Sequence, residues 1–448
     1  MDYEQFKNIV IAECKALGIK DYELYYANGE STSIVVFAHE VNRFSSAEAG
    51  GLCFRCLANG KMGYASTEKL DEENAKAIVR KALDNTTVLE AEEEEFLAPG
   101  GQEYAKLEDK SYPLPSTEEL IKTALSSQEK LYSANKLVID GTQTQTLIET
   151  NEVAIYNSKG LDLHQKTSSS GIVLVAVVSD GKEMANNYEI KLGQLSALDI
   201  DKLVKKCTDD AAQKLGGEVA PTGQYPVIFS PEAMSDLLET YESIFSSEAA
   251  QKGLSMLKGK EGEVIASPCV TIVDDPMHKD NPEPRTFDDE GCPTKKKNVI
   301  ENGVLTTLLY NMKTAAVEGK KTTGNASKPG YAGKVGISPF TMYIQNGEIS
   351  EEELLTKAGN GVYINDLGGL HAGANAVSGD FSLQSSGFMI ENGKKTTYVK
   401  SFTVAGNFYT LLKNIRLIAN NGLLPSAMSS TAFGSPSVLV DGLSVAGK

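Results

Sequence analysis

A chain of 448 residues, 41% hydrophobic and 23% charged, carries enough apolar material for two or three globular domains. Its formal net charge of -17 argues against a surface for nucleic acid or anionic lipid, since both need clustered Lys and Arg to displace counterions. No apolar run reaches the ~20 residues of a membrane-spanning helix, no basic-then-apolar leader opens the chain, and the six cysteines read as reduced thiols, so the cytoplasm is the expected compartment.

In chain order, residues 3–17 place Phe6, Ile9, Val10, Cys14 and Leu17 on one helical face. Short strands are expected at 22–26, 33–38, 52–58 and 62–65, with Asn28-Gly29 and Asn59-Gly60 as hairpin turns. A helix over 69–83 follows, with Ile78, Val79 and Leu83 inward. Residues 1–89 thus read as an N-terminal α+β domain of helix, hairpins and helix. Residues 90–116 read as a linker: Glu90 and the glutamates at 92–95 repel one another, and Pro99, Gly100, Gly101, Pro113 and Pro115 interrupt regular structure.

Residues 117–222 repeat the plan as a central α+β domain. Ser116 is a fitting N-cap for a helix to about 132, and Glu119 completes a capping box. Strands are expected at 153–156, 161–166 and 171–178, tight turns at Asp140-Gly141 and Asp180-Gly181, and a closing helix near 199–215.

Residues 223–448 change character. A short apolar strand at 225–229 leads to Ser230-Pro231, an N-cap followed by proline at the first helical position. Met234, Leu237, Leu238, Tyr241, Ile244 and Phe245 form the buried stripe of that helix. Later residues read as strands with Asn-Gly turns at Asn302-Gly303, Asn346-Gly347 and Asn392-Gly393, interrupted by a helix near 351–357. The fold class is α+β, ending in a mixed, mainly antiparallel β-rich domain.

Few segments carry a chemical signature. His39-Glu40 opens like HExxxH but ends in Phe44 within a strand-like run, so His39 reads as a surface histidine or one satisfied by hydrogen bonds. Cys53 and Cys56 match CxxC, yet residues three apart in a strand point to opposite faces and suit neither a zinc nor a redox pair. Asp274, Asp275, Asp280, Asp288, Asp289 and Glu290 form an acidic loop that fits no EF-hand spacing and reads as solvated or arginine-paired. Asn325, His371, Ser378 and Asp380 lie in Gly-rich loops, as groove-lining candidates or as turn formers. There is no GxSxG elbow and no phosphate-binding loop; Gly393-Lys394-Lys395-Thr396 reads as strand entry after a turn.

Several segments together carry a resemblance. They are Ser267-Pro268-Cys269 through Asp274-Asp275-Pro276, Phe287-Asp288-Asp289-Glu290-Gly291, Thr323-Gly324-Asn325-Ala326, Val377-Ser378-Gly379-Asp380-Phe381-Ser382, Ile390-Glu391-Asn392-Gly393 and Thr403-Val404-Ala405-Gly406-Asn407. With Gly51-Leu52-Cys53-Phe54-Arg55 and Gly63-Tyr64-Ala65-Ser66 they resemble the TldD/PmbA family, also labelled modulator of DNA gyrase, and its PmbA (TldE) branch. The resemblance implies proteolysis of small peptides or unfolded proteins by a TldD–TldE pair. It places the zinc ligands, HExxxH and a later Cys, in the TldD-type subunit alone.

A hydrolytic zinc needs three protein ligands and an open position for water. At the corresponding helix Pro231 stands for the first His, Asp236 stands for the second, and Glu232 alone keeps the motif's residue; no cysteine follows Cys292. Glu232 then reads as a first-turn glutamate favoured by the helix dipole. The resemblance therefore implies no catalytic residue, no metal ligand and no cofactor in this chain, with zinc held only by a TldD-type metallopeptidase partner. It implies a peptide or unfolded-protein substrate, a homodimer when the chain is alone, and Asp289 and Glu290 near a groove or subunit interface. Two alternatives stand beside it. One is a stand-alone peptidase using Glu232, Asp236, Asp289 or Glu290 with an unrecognised metal; the other is a non-enzymatic peptide-binding homodimer.

Overall fold

A computed structural model describes residues 1–88, 95–107, 113–422, 424 and 431–448. Glu90 and the glutamates at 92–94, read above as part of an acidic linker, lie outside the described residues.

The N-terminal half is built from α1 (Tyr3–Ala16), β1 (Asp21–Phe37), β2 (Glu40–Ala58), β3 (Lys61–Thr67), α2 (Glu72–Val88), α3 (Thr117–Ala134), β4 (Gln143–Asn157), β5 (Asp162–Ser179), β6 (Met184–Gly193) and α4 (Ile200–Gln213). Side chains fix the helix starts. The Asp2 carboxylate accepts from the Gln5 N–H, Asp199 accepts from Lys202, and Ser116 with Glu119 forms the expected capping box. The six strands form one sheet in the order β3-β2-β1-β4-β5-β6, antiparallel throughout, so the first and central segments share it.

Alternation along the strands divides the work of this sheet. Leu24, Leu52, Phe54 and Cys56 meet Phe6 and Val10 of α1 and Ile78 and Val79 of α2. Ile34 and Val36, further along β1 on the same face, meet Leu120 and Leu131 of α3 and Val204 of α4. The opposite face carries Tyr25, Cys53 and Ile155, which pack against Phe287 and Cys292 of the C-terminal domain. Cys53 and Cys56 thus lie on opposite sides of the sheet, as strand geometry requires.

One turn expectation is corrected. Asn28-Gly29 lies in the middle of the continuous β1, where Gly29 is flanked by Ala49 on β2 and Asn151 on β4. A Cβ there would stand 3.2 Å from Asn151 Oδ1, so close approach accounts for the glycine. The chain reverses instead at Ala38-His39, both with positive φ.

In the C-terminal domain the strands Gly223–Phe229, Gly361–Gly368, Asp380–Glu391, Lys394–Asn407 and Val438–Ala446 pair in succession, and the last closes on both the first and the fourth. Four of these five contacts are antiparallel and one is parallel, a mixed and mainly antiparallel closed barrel. The helix Pro231–Thr240 and the short turn after it bury Met234, Leu237, Leu238, Tyr241, Ile244 and Phe245. Asn302-Gly303 and Asn392-Gly393 form turns with positive φ. Asn346-Gly347 is a second correction: Thr341–Ile344 pairs with Ile272–Asp274 and Ala432–Gly434, not with a following strand. Asn346 Oδ1 instead accepts from the Gly422 N–H at 2.9 Å. Among the described residues no helix is long and apolar enough to cross a membrane.

Candidate functional site

The helix Pro231–Thr240 starts regularly. Ser230 Oγ accepts from the Ala233 N–H, and Pro231 is buried at the first helical position. Its inner stripe lies in the core, which leaves Glu232, Asp236 and Glu239 on the opposite side. Lys206 of α4 reaches across to Glu232 at 3.6 Å while also bridging Glu189 and Asp210. Burial works against the Lys206 charge, but Glu189 and the other carboxylates outweigh it and hold its pKa above the ordinary value.

Asp236 has no such cation. Burial, with the negative charges of Glu239, Glu232 and Asp366, pushes its pKa up to about 7. Glu242, half-buried and near Glu239, is likewise raised to about 7. A zinc ion does not fit this helix start. Pro231 offers no donor, Glu232 is engaged by Lys206, and Asp236 stands among carboxylates. Among the described residues no group of three or more His, Cys, Asp or Glu side chains is arranged to hold a metal ion.

The acidic loop takes a different place from the one expected of a solvated segment. Asp274, Asp275, Asp288, Asp289 and Glu290 are buried. Asp289 accepts from Tyr25 Oη of β1 at 2.9 Å, from Arg285 Nη2 at 2.6 Å and from the Lys328 N–H at 2.7 Å, tying the sheet to the C-terminal domain. Asp288 accepts from the Glu290, Cys292 and Ala326 N–H groups, and burial with the nearby Glu290 raises its pKa. Glu290 accepts from the Met312 N–H, and burial raises it to about 7 despite Arg55 nearby. Asp274 is paired with Lys297, and Asp275 with Lys296. The arginine-paired reading therefore describes Asp289, and the solvated one holds for the exposed Asp280 but is corrected for the five buried carboxylates, with Asp289 at the junction between the two halves.

The other candidates are scattered. Asn325 is fully buried and donates to Asp274 Oδ2 at 2.8 Å and to the Ser338 carbonyl, so it braces the interior of the C-terminal domain and does not line a groove. Ser378 and Asp380 form a surface turn with Asn407, whose Nδ2 donates to the Ser378 carbonyl and to Asp380 Oδ1. His371 is exposed on the short helix Leu370–Gly373, near Glu239. The structure thus separates the vestigial-motif residues, the junction pair Asp289–Glu290, and the Ser378–Asp380 turn.

Sequence reasoning did not single out Glu23, Arg55, Lys206 or Lys328. Arg55 is buried against Glu23 at 2.7 Å, and Glu95 lies 3.7 Å away. Lys328 Nζ sits 4.0 Å over the Tyr25 ring, and burial lowers its pKa. Apart from the i,i+4 pair Lys206–Asp210, no local spacing announces these contacts, because the other partners come from distant segments. Beside them opens a cleft of about 1330 Å³ between the sheet and the C-terminal domain, lined by Glu30, Glu48, Glu149, Glu283, Arg285 and Lys328 among others.

Comparison with known proteins follows this architecture. Residues 22–86 match PmbA/TldA metallopeptidase domain 1, residues 110–215 the central domain and residues 222–447 the C-terminal domain. A Thermotoga maritima protein designated a modulator of DNA gyrase superposes with a TM-score of 0.90 and 31% identity, covering 99% of this chain and 100% of that one. A metalloprotease of Methanothermobacter thermautotrophicus is 27% identical over 400 residues, 86% of this chain and 85% of its own. TldE from Thermococcus kodakarensis shares the fold with a TM-score of 0.88 at 22% identity, covering 98% and 99% of the two chains. The chain belongs to the PmbA/TldD metallopeptidase family.

Proposed function

We propose that this chain is a TldE-type partner of a zinc-bearing TldD-type metallopeptidase subunit. It would shape the chamber and guide an extended peptide or unfolded segment, while the partner breaks the bond. The observation that carries this reading is the start of the helix Pro231–Thr240, where a residue without a donor atom sits buried in a regularly capped first turn. Free thiols at all six cysteines, together with the acidic composition, support the cytoplasm as its location. With no partner supplied, the chain is expected to pair with itself, since duplicated subunits tend to keep self-compatible surfaces.

Elemental mass spectrometry on protein purified without a metal-binding tag or chelator should find far less than one zinc per chain. One tightly held metal per chain would overturn the reading. A second measurement addresses the chemistry. In a pair reconstituted with a TldD-type subunit, Glu232→Gln should leave kcat/KM within about two-fold of the unmodified pair. A general base contributes roughly 100-fold or more, so a loss of that size with intact folding and pairing would assign Glu232 to catalysis.

A further inference from the structure

The edge of β2 is open where the edge of a sheet is usually protected. β3 pairs with β2 only from Leu52 onward, while β1 occupies the other side along its whole length. Residues 41–49 are exposed, and between Arg43 and Gly51 the strand has no second neighbour among the described residues. In an antiparallel pair alternate residues turn their N–H and C=O groups outward, so this edge presents a row of unpaired donors and acceptors. Proteins commonly blunt such an edge with proline, lysine or a bulge. Here the bulge falls at Asn42, near the hairpin tip, Arg43 and Phe44 follow it, and from Ser45 to Gly50 every residue except Glu48 is small and the edge is accessible.

This edge runs into the cleft between the sheet and the C-terminal domain, whose lining includes Glu48, Ala49, Gly50 and Gly51. The cleft is acidic beyond what its own cations balance. Glu30, Glu48, Glu68, Glu149 and Glu283 line it, and none forms an ion pair with Lys or Arg among the described residues. Among the described residues Glu48 and Glu68 accept from the neutral Asn28 and Tyr331 side chains. The cations in the wall are already engaged, Arg285 by Asp289, Lys328 by the Tyr25 ring and the Met1 ammonium by the Leu70 carbonyl.

We propose that the β2 edge between Arg43 and Gly51 takes an extended peptide segment rich in lysine or arginine as an added strand, its basic side chains reaching the acidic cleft. Main-chain hydrogen bonds supply affinity in this mode, and the flanking charges supply selectivity. The inference rests on the guiding role proposed above and names the substrate class and the surface that reads it.

The test uses the full chain and a fluorescein-labelled ten-residue peptide of alternating Lys and Thr, followed by fluorescence anisotropy at low salt. A Glu-for-Lys peptide should bind about ten-fold more weakly or worse. N-methylation of every second amide, in one of its two phases, should have a similar effect of about ten-fold, because it removes the donors facing the edge. The exposed triple variant Glu30→Lys, Glu48→Lys, Glu68→Lys should also weaken binding, and hydrogen exchange over residues 43–51 should slow when the Lys peptide is present. Equal affinity for both N-methylated phases, or unchanged exchange over 43–51, would overturn the proposal. Protection that rises with protein concentration in the absence of peptide would also overturn it and assign the edge to a second copy of this chain. Neither zinc content nor the activity of a reconstituted pair enters this assay. Its failure is therefore distinguishable from failure of the subunit reading.

Discussion

Replacing Arg55 with methionine is expected to destabilise the protein by about 3–5 kcal/mol, the usual cost of leaving a buried charge without its partner. Arg55 lies on β2 directly opposite Glu23 on β1, on the sheet face that meets the C-terminal domain. Its Nε donates to Glu23 Oε1 at 2.8 Å, Nη2 lies 2.7 Å from the same oxygen as an ion pair, and the guanidinium stands near Glu95 and Glu290. Burial opposes the arginine charge, but Glu23 and the other carboxylates more than compensate. Without Arg55, Glu23 keeps one hydrogen bond among the described residues, from the neutral Asn157 amide at 3.3 Å, and the more distant charge of Lys328. Urea unfolding at pH 7 reads the loss, and a second substitution, Glu23→Leu, should recover most of it by removing the stranded charge. A loss below about 1 kcal/mol would place Arg55 among solvated surface pairs and remove it from the junction.

That junction marks the limit of what the residues disclose locally. Ser116 with Glu119, and Ser230 with Pro231, foretold two helix starts because a cap and its target lie within one turn. The stripe from Met234 to Phe245 foretold a buried face for the same reason. The opposite faces of Cys53 and Cys56 follow from strand periodicity alone. Asn28-Gly29 misled because a glycine chosen for close approach between three strands looks like a glycine chosen for a turn. The acidic loop misled in part because, although Arg285 lies only four residues from Asp289, the contact that draws it to the sheet is remote: Tyr25 stands 264 residues from Asp289. The β2 edge was invisible too, since whether a strand has one neighbour or two is a property of the sheet. Glu232 and Asp236 could be found only through the resemblance, and their surroundings, Lys206 for one and carboxylates for the other, emerge only when α4 and the strand Gly361–Gly368 are brought against the helix.

Asp236→Asn should stabilise the protein at pH 8 and leave it nearly unchanged at pH 4. The Asp236 carboxyl has a folded pKa of about 7 against 3.8 for the ordinary group, from burial first and then from Glu239, Glu232 and Asp366. The folded state therefore holds this proton more tightly than the unfolded one. The resulting stability is fully present below about pH 4 and is lost progressively as pH rises toward 7, where the folded group ionises among like charges. At one pKa unit per about 1.4 kcal/mol the upper bound is about 4 kcal/mol, and solvent screening of a partly exposed group lowers it to about 2. Lys206 does not relieve it, being committed to Glu189, Asp210 and Glu232, and Lys214 pairs with Asp366. Urea midpoints of both proteins at pH 4 and pH 8 give the difference directly. The same substitution bears on function, because a carboxylate kept for chemistry at a cost in stability should lose activity when the strain is relieved. A reconstituted pair that gains stability at pH 8 with its peptidase activity intact would mean that Asp236 is tolerated there and not used. Lost activity in a stable, paired protein would instead return Asp236 to the reaction and count against the non-catalytic role proposed for this subunit.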